Sequence, residues 1–208
     1  MIIELLWLIA GCTIAHELFK ACGFGKACAA ASIAGIAVHE LGHVFGCLLF
    51  RVKIHSVSFL RVEWVGKRFG GFGGEVGHEP ATSAFPAIAI TVGPLACGIA
   101  FLLLIAAGIT TVHASGADPA WAFLLWVLLF SVASAAWPSV PDWRNMLSAA
   151  ARYPGQFVMA LLGIVIGLGL CWWLLPLVAE GWSVVAGIML ALGPGWGLSK
   201  AYQKARDQ

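Results

Sequence analysis

Two histidines and a glutamate, His39, Glu40 and His43, stand inside the run GIAVHELGHVFGCLL, residues 35–49, where nearly every neighbour is apolar or small. In a helix, residues four apart project from one face only about 40° from each other. His39 and His43 can therefore share one metal ion, with Glu40 beside them. This HExxH spacing suits zinc: the two neutral imidazoles bind the ion and the carboxylate takes a proton from the water that it activates. An ionisable group at membrane depth costs roughly 2.5 kcal/mol or more unless it has a partner, and a shared cation supplies one.

A catalytic zinc ion takes three protein ligands and keeps one position open, so a third donor must come from elsewhere. The candidates are His55, Glu63, Glu75, His78 and Glu79 between the second and third apolar runs, with His113, Asp118, Asp142 and Glu180 further on. Asp142 is the favoured donor and His78 the next. Asp142 follows Pro138 and Pro141 in AAWPSVPDWRNML, and prolines leave backbone groups that only protein or a wet cavity can satisfy at membrane depth. As a plain structural residue, Asp142 would cap the helix that follows. The tract AHELFK provides an internal control, because Lys20 stands where a second histidine would be needed beside His16 and Glu17. That copy cannot chelate, and its polar residues are expected at the membrane interface.

The surroundings are those of a bilayer protein. Of 208 residues, 61% are hydrophobic and 11% charged, and the mean hydropathy is +0.91, against roughly 25% charged residues in soluble domains. A net charge of +2 provides no field for nucleic acid, which is excluded as a partner. Apolar runs at about 1–19, 27–50, 83–108, 119–138, 156–178 and 182–198 approach the roughly 20 residues needed to cross a membrane. The expected fold is an all-α polytopic membrane protein with about six transmembrane helices, forming one integral membrane domain over 1–208. The first run lacks a basic leader and a cleavage site, so it is expected to remain as a helix. Six crossings put both termini on one side. If that side is the cytoplasm, all 12 Lys and Arg residues except Lys20 and Lys26 fall inside, as the positive-inside rule asks. The six cysteines form no CxxC pair and are expected to act as small apolar residues.

Residues 51–80 break the helical pattern. LRVEWV alternates apolar and polar residues as a strand does, VKI precedes it in the same rhythm, and the Gly-rich RFGGFGGEVG follows. A small cytoplasmic β-hairpin region is expected here, and two readings of it stand side by side: a connector with turns, or a hairpin whose open edge holds an extended peptide. Along the second run Ser32, Gly35, Gly42 and Gly46 share a face with His39, a stripe that lets another backbone come close.

HELGH within a span, TVGPLACG in the next and PSVPDWRNML after a fourth together resemble the site-2 protease family of intramembrane zinc metalloproteases, over roughly 33–147. The resemblance implies a catalytic core over 27–147, one zinc ion per chain held by His39, His43 and Asp142, and Glu40 as the catalytic base. It also implies that Gly93, Pro94, Cys97 and Pro138 help to hold a transmembrane protein substrate near the cytoplasmic face of the cell membrane. Cys97 and Ala135 stand where the family often has asparagine, and Trp143 follows Asp142 where it usually has glycine. No counterpart of the family's PDZ or CBS domains is visible. Two other classes fit the same residues: a zinc or proton transporter, and a catalytically inactive relative serving as a scaffold.

Overall fold

A computed structural model describes residues 2–66 and 68–174. The elements are α1 (Ile2–Phe19), a π-helical turn (Lys20–Phe24), α2 (Gly25–Ala31), α3 (Ile33–Leu49), β1 (Ile54–Val65), β2 (Arg68–His78), α4 (Ala84–Ser115), α5 (Pro119–Ala135), α6 (Val140–Arg152) and α7 (Pro154–Leu174). The described residues divide into two compact units, one up to Pro80 with Ile90–Val140, the other Ala81–Ala89 with Pro141 to Leu174.

Among the described residues, two helical stretches are long and apolar enough to cross a membrane, Ala84–Ser115 and Pro119–Arg152, the latter taking in α5 and α6. A third span is available if the pair Trp7–Ala31 and Ile33–Leu49, bent by 64°, counts as one. The runs at 1–19 and 27–50, expected as separate crossings, follow each other as this bent helical pair. Gly23 turns at φ 92° inside it, where only glycine is at ease, and α3 begins immediately after Ser32. With 17 residues, α3 is roughly 25 Å long, short of the roughly 30 Å of hydrocarbon. The run at 156–178 begins as α7, apolar over Pro154–Ile166, and the run at 182–198 lies outside the described residues.

In the first unit α3 packs on α5 and on both strands, α1 on α5, and α2 on β2. The apolar core joins Ile9 of α1, Leu102, Ile105 and Ile109 of α4, and Leu129, Val132 and Ala133 of α5. Small residues set the approach of α3 to its neighbours. Gly35, near the start of α3, presses against the backbone of Ser131 and Ala135 Cβ, and its amide, unpartnered within a first helical turn, donates to Ser131 Oγ at 2.9 Å. On the same face Gly42 abuts the backbone of Gly93 and Pro94 in α4.

The hairpin forms as expected over 54–78. Its strands pair antiparallel from Ile54 opposite His78 to Val65 opposite Arg68, with three register slips. The Gly-rich tract is itself a strand, although glycine ordinarily weakens one. The glycines leave room for facing side chains: Gly73 for Glu63, Gly77 for Ser56 and Gly74 for Glu40 of α3. Apolar side chains of β1, among them Val57, Phe59, Val62 and Trp64, are exposed.

In the second unit the first turn of α4 is capped from α7: Gln156, 1% exposed, accepts the Ala84 amide on Oε1 at 3.3 Å.

Candidate metal centre

His39, Glu40 and His43 occupy the middle of α3, with Glu40 and His43 buried. Each imidazole is held from a different helix. His39 Nδ1 donates to the carbonyl of Ala135, the last residue of α5, at 2.7 Å. His43 Nδ1 donates to the carbonyl of Ile90 in α4 at 2.9 Å. A carbonyl oxygen only accepts, so both Nδ1 atoms carry hydrogen, which leaves the two Nε2 atoms as the ligating positions of the rings.

Those two Nε2 atoms face one another at 3.2 Å, on rings 4.9 Å apart and inclined at 77°. At that distance the two nitrogens share either a proton or a metal ion. For two nitrogens bound at about 2.0–2.1 Å to a tetrahedral zinc ion, the separation is about 3.4 Å, close to the distance observed. Asp142 completes the set: one ligating atom from each of His39, His43 and Asp142 lies within 4.8 Å of the others. Asp142 sits in the first turn of α6 and is partly buried. This His/His/Asp cluster can hold a metal ion, and it is the only such group of three among the described residues. Carbonyl partners of this kind fix the tautomer and direction of metal-binding imidazoles.

Glu40 is 6% exposed, its side chain against the backbone of Gly74 in β2. The hairpin therefore covers the carboxylate directly. Glu40 thus shares the middle of α3 with the two histidines, its carboxyl packed against Gly74.

The other candidate donors have different occupations. His78 pairs with Glu79, its Nδ1 donating to the Glu79 carbonyl at 2.7 Å. Glu79 lies 4.0 Å from His55 and 3.8 Å from Lys53. Glu63 and Glu75 flank Arg61, at 3.7 and 2.7 Å. Asp118 caps α5, accepting the Ala120 amide at 2.8 Å. His113 bonds its own helix at the Ile109 carbonyl, and Glu180 lies outside the described residues. In the control tract Glu17 pairs with Lys20 at 3.0 Å in exposed positions.

Gly93 and Pro94, expected to help hold substrate, are buried against Gly42. Pro138 is also buried, and Cys97 is half-buried. Sequence reasoning missed Ile90 and Ala135, whose carbonyls anchor the histidines, and Gly74, which receives Glu40. A signal for the first was present: Pro94 lies four residues beyond Ile90 and cannot donate to it.

No protein-family model matches the chain, and neither a curated protein nor a solved structure does.

Proposed function

We propose that this chain is an intramembrane zinc metalloprotease, hydrolysing peptide bonds within or beside the membrane spans of other proteins. The observation that carries the reading is the pair of Nε2 atoms 3.2 Å apart, with Asp142 in reach and Glu40 buried on the same helix. The apolar setting of α3 adds weight, since polar residues in such a helix call for a functional reason.

His39, His43 and Asp142 would hold the ion. Zinc bound there supplies a Lewis acid that acidifies water and polarises a carbonyl. Glu40 takes the proton as water adds to the scissile carbonyl carbon, then delivers it to the departing amide nitrogen. Burial keeps Glu40 away from competing water, and contact with Gly74 fixes its direction.

A peptide bond in a helix is shielded, so the substrate has to unwind locally before it is cut. The two-stranded sheet has unpaired outer edges, and its apolar β1 face can clamp an opened segment by strand addition. The proposal includes about six crossings, both termini in the cytoplasm and a site opening to that side, supported by the placement of Lys and Arg residues.

Glu40→Gln in the purified full chain tests the reading. The expected outcome is loss of cleavage of a membrane-spanning substrate with one zinc ion per chain retained. Cleavage at the wild-type rate would overturn it. Metal flux without proteolysis in both proteins would replace it with transport, and absence of zinc from both would leave a scaffold.

A further inference from the structure

Neither histidine is aimed by its own helix. His43 is held by the carbonyl of Ile90, and in an uninterrupted helix that carbonyl would accept the amide hydrogen of the residue four positions on. That residue is Pro94, inside α4, which has no amide hydrogen to give. The backbone contact of Gly42 with Gly93 and Pro94 brings the next residue of α3, His43, beside this carbonyl.

The other side of the pair repeats the arrangement with different residues. The contacts Gly35–Ser131 and His39–Ala135 share a sequence offset of 96, so α3 and α5 run parallel in register, one turn apart. The helix stops at Ala135, ahead of Pro138, whose ring disfavours helical backbone in the residue before it. The Ala135 carbonyl therefore lacks its helical donor, and His39 Nδ1 takes its place.

We infer that Pro94 is a positioning residue for the metal centre: by withholding an amide hydrogen it leaves the Ile90 carbonyl to His43 Nδ1, which turns His43 Nε2 toward the ion. The break before Pro138 does the same for His39. This rests on the proposed metal-dependent activity and gives two prolines, expected to contact substrate, a different task.

The test uses the full chain in detergent and zinc itself as the probe. Pro94→Ala restores the amide hydrogen, which then competes for the Ile90 carbonyl. Zinc affinity, measured by competition with a chromophoric chelator, is expected to fall about 10- to 100-fold, the usual cost of losing such a partner. Thermal stability of the metal-free protein should hold or rise, because alanine suits a helix interior better than proline. A merely structural proline predicts that stability falls together with affinity. Placing lactic acid, the ester analogue of alanine, at position 94 removes the amide hydrogen without restoring the ring, and should recover most of the lost affinity.

Unchanged zinc affinity in Pro94→Ala overturns the inference, as does a lactic acid variant that binds no better than the alanine one. A check independent of any variant is the nitrogen-15 spectrum of the histidines in metal-free wild type: the Nδ1–H tautomer of His43 is expected, and the Nε2–H tautomer overturns the inference. Wild type that binds no zinc would overturn the metalloprotease reading and this inference together, whereas tight wild-type binding with an indifferent Pro94→Ala removes the inference alone.

Discussion

The chain writes His-Glu-Leu twice, at 16–18 and 39–41, and among the described residues only the second copy belongs to a cluster that can hold a metal ion. In the second copy both imidazoles are anchored on carbonyls of other helices and the carboxylate is buried against β2. In the first, Glu17 is exposed and paired with Lys20, while His16 Nδ1 is buried with no hydrogen-bond partner among the described residues. The two tracts differ in the residue four positions after the first histidine, Lys20 against His43, and in what the fold brings to each. A histidine without an outer partner can rotate; one held at Nδ1 offers Nε2 in one direction.

The sharpest way to break this comparison is to exchange the carboxylates. Glu40→Gln should lower the cleavage rate by about 10²- to 10⁴-fold, the range for loss of a general base, with bound zinc unchanged by metal analysis. Glu17→Gln should leave both readings at wild type. Equal losses from the two variants would remove the distinction between the tracts.

Metal linkage comes next. Zinc at 100 times its dissociation constant should stabilise the folded chain by about 2.7 kcal/mol, seen as a raised unfolding temperature that a chelator reverses. Asp142→Ala and His43→Ala should abolish the shift, and His16→Ala should keep it in full.

Glycines sharpen the comparison through packing. A Cβ at Gly42 would run into the backbone of Gly93 and Pro94, whereas Gly11, in the helix that carries His16, has nothing within 4 Å. Thermal unfolding should show Gly42→Ala destabilised by about 1–3 kcal/mol. Gly11→Ala should be stabilised by up to about 1 kcal/mol through helix propensity.

The smallest expected effect is the most local. A Cβ at Gly74 meets the Glu40 side chain and would displace the carboxylate. Gly74→Ala should lower cleavage about tenfold, a barrier change of about 1.4 kcal/mol, with zinc content unaltered. Gly66→Ala, at the open hairpin turn with φ 64°, strains the backbone without touching Glu40, and should leave cleavage nearer to wild type.

Much of the site was legible because its first part is local. A four-residue spacing on one helix brings His39 and His43 together whatever else the chain does. The alternating rhythm of LRVEWV announced a strand, since side chains alternate along any strand. The bent path from α1 to α3 was harder to read: its apolar content is that of two crossings, and its 64° bend falls at Ser32. Pro94 and Pro138 were visible, but their relation to the histidines was not, because it passes through backbone carbonyls that have no side-chain signature.

The sequence alone determined the apolar character, the pair of histidines with its neighbouring carboxylate, and the hairpin, all of which follow from composition or from spacing within one element. Tertiary structure decided that Asp142, favoured on the sequence ahead of His78, reaches the pair, and it alone decided that Ile90 and Ala135 aim the imidazoles and that Gly74 receives Glu40. The physical reason is range. Periodicity places neighbours on one helix, whereas hydrogen bonds between residues 47 and 96 positions apart exist only once separate helices have packed.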